Sequence, residues 1–298
     1  MKYTTISFPF LGLEINPPSH FNIGSKEIYF YGIIIALGLM LAVWYGMRRQ
    51  KEFGLRGDEL LDGVLWVVPF AFVCARLYYC AFQWEHYSAN PISILYVWNG
   101  GLAIYGGVIG AALGIIVYCK CKKLSLGSVL DLVALGFLIG QAIGRWGNFM
   151  NREAFGAPTD AFIRMGLFNT VTESFEYYHP TFLYESLWNA VGFVALHFLS
   201  KKRQYDGQIA LGYVAWYGLG RAMIEGLRMD SLYWGPFRVS QLLAAVSCVA
   251  AVAVLVWQSF RTHDRANLFG NRVLAAEAAA LVAEEAVEEV AEKAIEEE

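Results

Sequence analysis

The segment Gly144-Arg145-Trp146-Gly147-Asn148-Phe149-Met150-Asn151-Arg152-Glu153-Ala154-Phe155-Gly156 sets arginines, amides, a carboxylate and glycines against the end of a long apolar run. An arginine at the middle of a membrane helix costs about 2.5 to 3.5 kcal/mol, and less near the interface, so such a cluster marks a site. Other polar residues break the apolar pattern in the same way: Tyr31, Arg76, Tyr105 within a glycine-rich block, His179, Tyr184, Glu185, Arg221, Glu225 and Arg228. Arg221 and Glu225, four residues apart, share a helix face and can neutralise each other. That pairing leaves Arg145, Arg228, Asn148 and Asn151 as surplus positive charge and amide donors. Guanidinium groups match phosphate oxygens two at a time, so a phosphate-bearing ligand fits, and a phospholipid headgroup lies at the height where such helices end.

Several chemistries find no support. The sequence has no Gly-x-Ser-x-Gly elbow, no Gly-x-x-x-x-Gly-Lys-Ser/Thr phosphate loop and no His-Glu-x-x-His pair. Asp62-Gly63 lacks the following Ala-Arg of the alcohol phosphatidyltransferases. Cys119-x-Cys121 has too few neighbouring ligands for a metal site. The five cysteines, at 74, 80, 119, 121 and 248, sit in or at the ends of apolar runs, which speaks against a disulfide framework.

The elements that must position these residues are membrane helices. Of 298 residues, 57% are hydrophobic and 16% charged, where an ordinary soluble domain has about 25% charged. Seven windows are long enough to cross a bilayer, near 28–47, 59–82, 102–119, 128–144, 181–200, 208–226 and 239–258. Lipid cannot satisfy a stray backbone group and the alternation of a barrel is missing, so the predicted fold is an all-α polytopic bundle of seven transmembrane helices. Gly106-Gly107 and Gly110 would let helices approach closely.

Arginines and lysines set the orientation. They follow the first span (Arg48, Arg49, Lys51, Arg56), the third (Lys120, Lys122, Lys123), the fifth (Lys201, Lys202, Arg203) and the seventh (Arg261, Arg265, Arg272). Segment 83–101 has neither residue, and 145–180 and 227–238 have no lysine. This predicts an outside N-terminus, a cytoplasmic C-terminus and polar blocks at the outer face. Residues 1–27 read as an interfacial arm, 28–262 as the membrane core with an outer-face segment at 145–180, and 263–298 as an acidic tail, helical or frayed. From Leu274 onward that tail carries nine glutamates and one lysine. Intramembrane charges and broken helices also suit a secondary transporter, although the polar blocks gather at one face and no repeat is evident; a lipid-binding scaffold would account for the arginines as well.

The pattern Gly144-Arg-x-Gly-Asn-Phe-x-Asn-x-Glu-x-x-Gly156 resembles the fingerprint of bacterial prolipoprotein diacylglyceryl transferases. The other blocks follow in that family's order: Tyr31-Gly32, Gly100-Gly101, Tyr105-Gly106-Gly107, His179-Pro180, Leu183-Tyr184-Glu185 and Arg221-x-x-x-Glu225-x-x-Arg228. The resemblance spans roughly 28–258 and leaves the N-terminal arm and the acidic tail outside. It implies an enzyme of the bacterial plasma (inner) membrane, its active site toward the outer leaflet. Such an enzyme moves the diacylglyceryl group of phosphatidylglycerol onto the lipobox cysteine of prolipoprotein signal peptides, forming a thioether and releasing glycerol phosphate. No cofactor and no nucleic acid are implied.

Under that resemblance Arg145 and Arg221 would meet the charge that grows on the leaving phosphate, with Asn148 orienting the headgroup. Tyr31, Asn151, Glu153, Gly156, His179, Tyr184 and Arg228 are expected around the substrates. Glu153 has an equally plain alternative as a brace for Arg145 or Arg152. Many members carry histidine where this chain has Tyr105, and a phenol of pKa about 10 is a poor base, so Tyr105 is expected to hydrogen-bond lipid or thiol. Glu225 or the substrate phosphate would then take the thiol proton. His179 is a second candidate, with a capping role before Pro180 favoured.

Overall fold

The structure is a computed structural model and describes residues 3–24, 26–229 and 233–296. Helices dominate: α1 Phe30–Arg49, α2 Glu59–Phe82, α3 Trp84–Ala89, α4 Ile104–Lys122, α5 Leu126–Asn151, α6 Thr181–Ser200, α7 Gln208–Glu225, α8 Val239–Ser259 and α9 Phe269–Glu296. Among the described residues six of them, α1, α2, α4, α5, α6 and α8, are long and apolar enough to cross a membrane, which makes this a multi-pass membrane protein. The seventh expected span forms as α7 but falls outside that group, because Gln208, Arg221 and Glu225 interrupt its apolar length.

The strands are the departure from an all-α reading. A four-stranded antiparallel sheet has the order β2 (Leu13–Ile15), β1 (Tyr3–Phe8), β5 (Met165–Asn169), β6 (Ser174–Tyr178). Two hairpins complete the set, β3 (His20–Ile23) with β4 (Lys26–Tyr29), and β7 (Tyr233–Trp234) with β8 (Phe237–Arg238). The sheet therefore joins the N-terminal arm to the segment after α5. Its inward residues Ile6, Phe8, Met165, Leu167 and Tyr178 form one apolar core with Phe149 of α5 and Phe182 of α6, which fixes the sheet on the ends of those helices.

By contact the chain divides into two units, Met1–Tyr45 with Asp131–His263, and Gly46–Leu130 with Asp264–Glu298. In the first, small residues bring the helices together. Gly38 of α1 faces Gly140 of α5, and a Cβ on Gly147 would lie 2.6 Å from the Tyr31 ring. Trp146 Nε1 donates to Ser186 Oγ at 3.2 Å, and that hydroxyl donates to the Ala142 carbonyl at 2.8 Å, tying α5 to α6. Trp188 and Trp216 stack at 4.5 Å and exchange indole N–H bonds with each other's carbonyls at 3.0 and 2.9 Å, tying α6 to α7.

In the second unit α2 packs on α4 through Gly106 and Gly110, where a Cβ would come within 2.6 Å of the Cys74 carbonyl oxygen and 2.5 Å of Cys74 Cβ. Arg76 is buried in this unit and spends its guanidinium on the carbonyls of Ser93, Ile94, Gly100 and Gly101 at 2.6 to 2.9 Å. It thereby holds the non-helical run that leads into α4. Helix α9 docks through Phe269 against Gly54 and through an Arg56–Glu277 ion pair of 2.9 Å. All five cysteines are free. The last two residues of the acidic tail lie outside the described residues.

One buried carboxylate anchors the start of α7. Asp131 of α5 is fully buried and accepts the backbone N–H groups of Gly207, Ile209 and Ala210, each at 2.9 Å, doing from another helix what a local capping side chain does elsewhere. Asp131→Ala orphans those donors and is expected to cost about 1–3 kcal/mol, seen as a lower thermal unfolding midpoint in detergent, with Asp131→Asn falling between. An unchanged midpoint for the alanine variant would contradict this capping role.

Candidate active site

The polar residues near the Asn151 end of α5 converge on one carboxylate. Pro180 stops the extended run of β6 and Thr181 opens α6, its hydroxyl donating to the Ala154 carbonyl at 2.6 Å. One turn later Glu185 points into the bundle with its side chain only 4% exposed. Arg145 of α5 pairs with Glu185 Oε2, while Arg221 of α7 and Arg228 beyond it reach Oε1 at 3.4 and 3.3 Å. Arg221 also pairs with Glu225 Oε2 at 2.5 Å, the four-residue pairing expected from the sequence. Three guanidiniums thus face the two buried carboxylates of Glu185 and Glu225.

Packing fixes that geometry. Gly220 leaves no room for a side chain, because its Cβ would lie 2.2 Å from the Trp188 indole nitrogen. With the Trp188–Trp216 stack, this contact sets the spacing at which Glu185 meets Arg221. On the α5 side Arg145 Nη1 donates to Asn148 Oδ1 at 3.4 Å, and Asn148 Nδ2 donates to Glu153 Oε1 at 3.1 Å. Asn151 Nδ2 donates to the same oxygen at 3.2 Å. Glu153 is exposed and braces these two amides, one of which accepts from Arg145.

Extended chain builds the remaining wall. Gly156 N–H donates to the His179 carbonyl at 2.9 Å, Ala157 N–H to Leu227 O at 2.6 Å, and Gly156 pairs as an isolated bridge with Arg228. A Cβ on Gly156 would lie 2.7 Å from His179 Cβ and 2.9 Å from Leu227 O, so only glycine lets three strands of chain cross here. His179 Nδ1 lies 3.4 Å from the Tyr184 hydroxyl, which donates to the Ile163 carbonyl at 3.2 Å. These two residues are joined to each other and to the 160s loop. Tyr31 packs on Gly147, which lies between Arg145 and Asn148 on α5.

The structure therefore brings together Tyr31, Arg145, Asn148, Asn151, Glu153, Gly156, His179, Tyr184, Arg221, Glu225 and Arg228, all in the first unit. Tyr105 belongs to the second unit, half-exposed in the first turn of α4. Two arginines grouped with the site by polarity alone are occupied elsewhere. Arg76 holds the segment before α4, and Arg152 donates to the Thr4 and Pro17 carbonyls at 2.5 and 2.6 Å and to Asn16 Oδ1 at 2.8 Å, clamping the N-terminal strands. Glu185 is the residue that the sequence placed in a polar block without a role. Its signal was a lone carboxylate in an apolar helix, a group that needs a partner.

Removing one member of a buried charge set leaves the others uncompensated, at about 3–5 kcal/mol. Glu185→Ala is expected to lower stability in detergent by about that amount, whereas the exposed Glu153→Ala costs under about 1 kcal/mol. Equal thermal midpoints for the two variants would contradict the central place of Glu185.

With this geometry in view, comparison with known proteins is specific. The family model for prolipoprotein diacylglyceryl transferase matches residues 18–257. The chain is 46% identical over 245 residues to the phosphatidylglycerol–prolipoprotein diacylglyceryl transferase of Enterococcus faecalis, covering 79% of this chain and 88% of that protein. It is 45% identical over 254 residues to the Bacillus licheniformis enzyme of the same name, covering 83% and 94%, and 40% identical over 258 residues to that of Listeria monocytogenes, covering 85% and 93%. The chain belongs to the prolipoprotein diacylglyceryl transferase family.

Proposed function

We propose that this transferase moves the diacylglyceryl group of phosphatidylglycerol to the lipobox cysteine thiol of a prolipoprotein, at the outer leaflet of the bacterial plasma membrane. The observation that carries the reading is the gathering of the Arg145, Arg221 and Arg228 guanidiniums around the buried Glu185 and Glu225, with Arg145 and Arg221 still partly open. Guanidiniums held in this way match the oxygens of a phosphodiester. In this reading α7 is a seventh span, helped across by the neutralisation of its own Arg221 and Glu225, and the N-terminus lies outside with the C-terminus in the cytoplasm.

Sulfur attacks a glycerol carbon, the carbon–oxygen bond to phosphate breaks, and the electron pair leaves on the phosphate oxygen. Arg145 and Arg221 are half-buried donors held in place before the reaction, so they stabilise that charge without reorganising. Asn148 is oriented by Glu153 and Arg145 to hold the headgroup. Glu225 is engaged by Arg221; in this reading the thiol proton leaves on the released glycerol phosphate, and the arginines lower the thiol pKa. His179 acts as a wall residue, its ring turned to Tyr184 and its backbone bound to Gly156 and Ala157.

Reconstituted with phosphatidylglycerol and a lipobox peptide, the protein is expected to release one glycerol phosphate per thioether formed. Arg145→Ala or Arg221→Ala should slow this about 10²–10³-fold while the protein stays folded. Wild-type turnover in either variant contradicts the arginine roles. Lipid binding with no thiol-dependent release would favour the scaffold reading, and solute flux without lipid consumption the transporter.

A further inference from the structure

Helix α5 ends in a turn of the kind that glycine usually makes. Asn151 is its last helical residue; Arg152 follows at φ +53° and Ala154 at φ +55°, both in the left-handed region that favours glycine. Arg152 N–H donates to the Phe149 carbonyl and Glu153 N–H to the Asn148 carbonyl, each at 3.1 Å, the bonding of a helix closed by one left-handed residue. Such an ending folds the second residue past the helix back over its last turn. Here that residue is Glu153, and its carboxylate takes the side-chain amides of Asn148 at 3.1 Å and Asn151 at 3.2 Å. The position of both amides thus depends on Arg152 staying left-handed.

The side chain explains why an unfavourable backbone persists. Arg152 is buried and donates to the Thr4, Pro17 and Met150 carbonyls at 2.5, 2.6 and 3.0 Å and to Asn16 Oδ1 at 2.8 Å. Thr4, Asn16 and Pro17 belong to the N-terminal arm, which is itself fixed by the pairing of Ile6 with Leu167 and Ser7 with Gly166. A planar guanidinium whose acceptors are held in place cannot follow its backbone out of the left-handed well without giving up those bonds. Conformations over-determined in this way collect at functional sites. Glycine would serve a chain that needed only the turn; arginine adds a handle on the arm.

We propose that Arg152 is a positioning residue for the transfer reaction: clamped by the N-terminal arm, it holds the left-handed turn that sets Glu153 against Asn148 and Asn151, and thereby the binding of phosphatidylglycerol. The inference rests on the proposed function for the place of Asn148 at the lipid headgroup. It gives the arm a task beyond closing the sheet, that of a strap on the end of α5.

The test is turnover of the full chain with phosphatidylglycerol varied, together with the Kd of that lipid by native mass spectrometry without peptide. Arg152→Ala loses the clamp and keeps the cost of a left-handed residue, so KM and Kd for phosphatidylglycerol should rise about tenfold, with KM for a lipobox peptide within about twofold of wild type. Arg152→Gly loses the same clamp but adopts the turn freely, so both constants should return to within about threefold of wild type. A loss of folded protein alone would lower kcat and move neither constant. Should the alanine variant not fold, Arg152→Lys takes its place: a single ammonium cannot satisfy the fork of acceptors, and lysine is expected to do worse than glycine. Combined with Glu153→Ala, which frees the amides directly, Arg152→Ala should add less than about twofold. Equal losses in the glycine variant and its comparator, unchanged constants in Arg152→Ala, or losses that multiply with Glu153→Ala would overturn the assignment. A wild type that binds phosphatidylglycerol but releases no glycerol phosphate would overturn the transferase reading, and the order of the Kd values would still decide the part played by Arg152.

Discussion

A carboxylate inside a membrane-length helix carries a desolvation cost that only close opposite charge can offset, and Glu185 is met by guanidiniums from three separate pieces of chain. Arg145 comes from α5, Arg221 from α7 and Arg228 from the turn after it, so the relative positions of three helix ends depend on one side chain. Each reaches Glu185 only because the backbones run close together. Gly220 under Trp188 and Gly192 under Trp216 leave no room for a Cβ, and the exchanged indole bonds hold the α6–α7 spacing. Arg145 and Arg221 keep part of their guanidinium surface open beside this set, in surroundings where charge is weakly screened. A device that stabilises the helices thereby also makes a candidate site for an anion.

Extended chain does what helices cannot. The sheet seats the N-terminal strand and the β5–β6 hairpin on Phe149 and Phe182, and Arg152 locks that seat by donating to Thr4, Asn16 and Pro17. From β6 the chain passes through His179 to the crossing with Gly156 and Leu227, so the rim carrying Arg228 is hydrogen-bonded to the rim carrying His179. Backbone polar groups there are paired with one another, as an environment poor in water requires.

Much of this was legible in the sequence, for reasons that differ by element. Apolar length gave the six long helices, and the positions of the site residues were marked because each is costly where it stands. The sheet was hidden: Tyr3–Phe8, Met165–Asn169 and Ser174–Tyr178 are strands of five or six residues, the β1–β5 pairing that joins them spans most of the sequence before α6, and their alternation is faint beside the helical signal. The arginines were indistinguishable by type. Arg76 and Arg152 turn to carbonyl oxygens and Arg145, Arg221 and Arg228 to carboxylates, a distinction set by tertiary contacts. Glu185 was visible as a polar residue, but three arginines sharing it is a property of the folded bundle.

The most direct measurement is a double-mutant cycle between Arg145 and Glu185 in thiol-dependent release of glycerol phosphate. If Glu185 acts by holding Arg145 and its neighbours in place, Glu185→Gln should slow turnover about tenfold alone and add less than about threefold once Arg145 is alanine, because the group it positions has gone. Losses that multiply in the double variant would contradict a shared role, and would mean that the buried glutamate and the arginine serve the reaction independently.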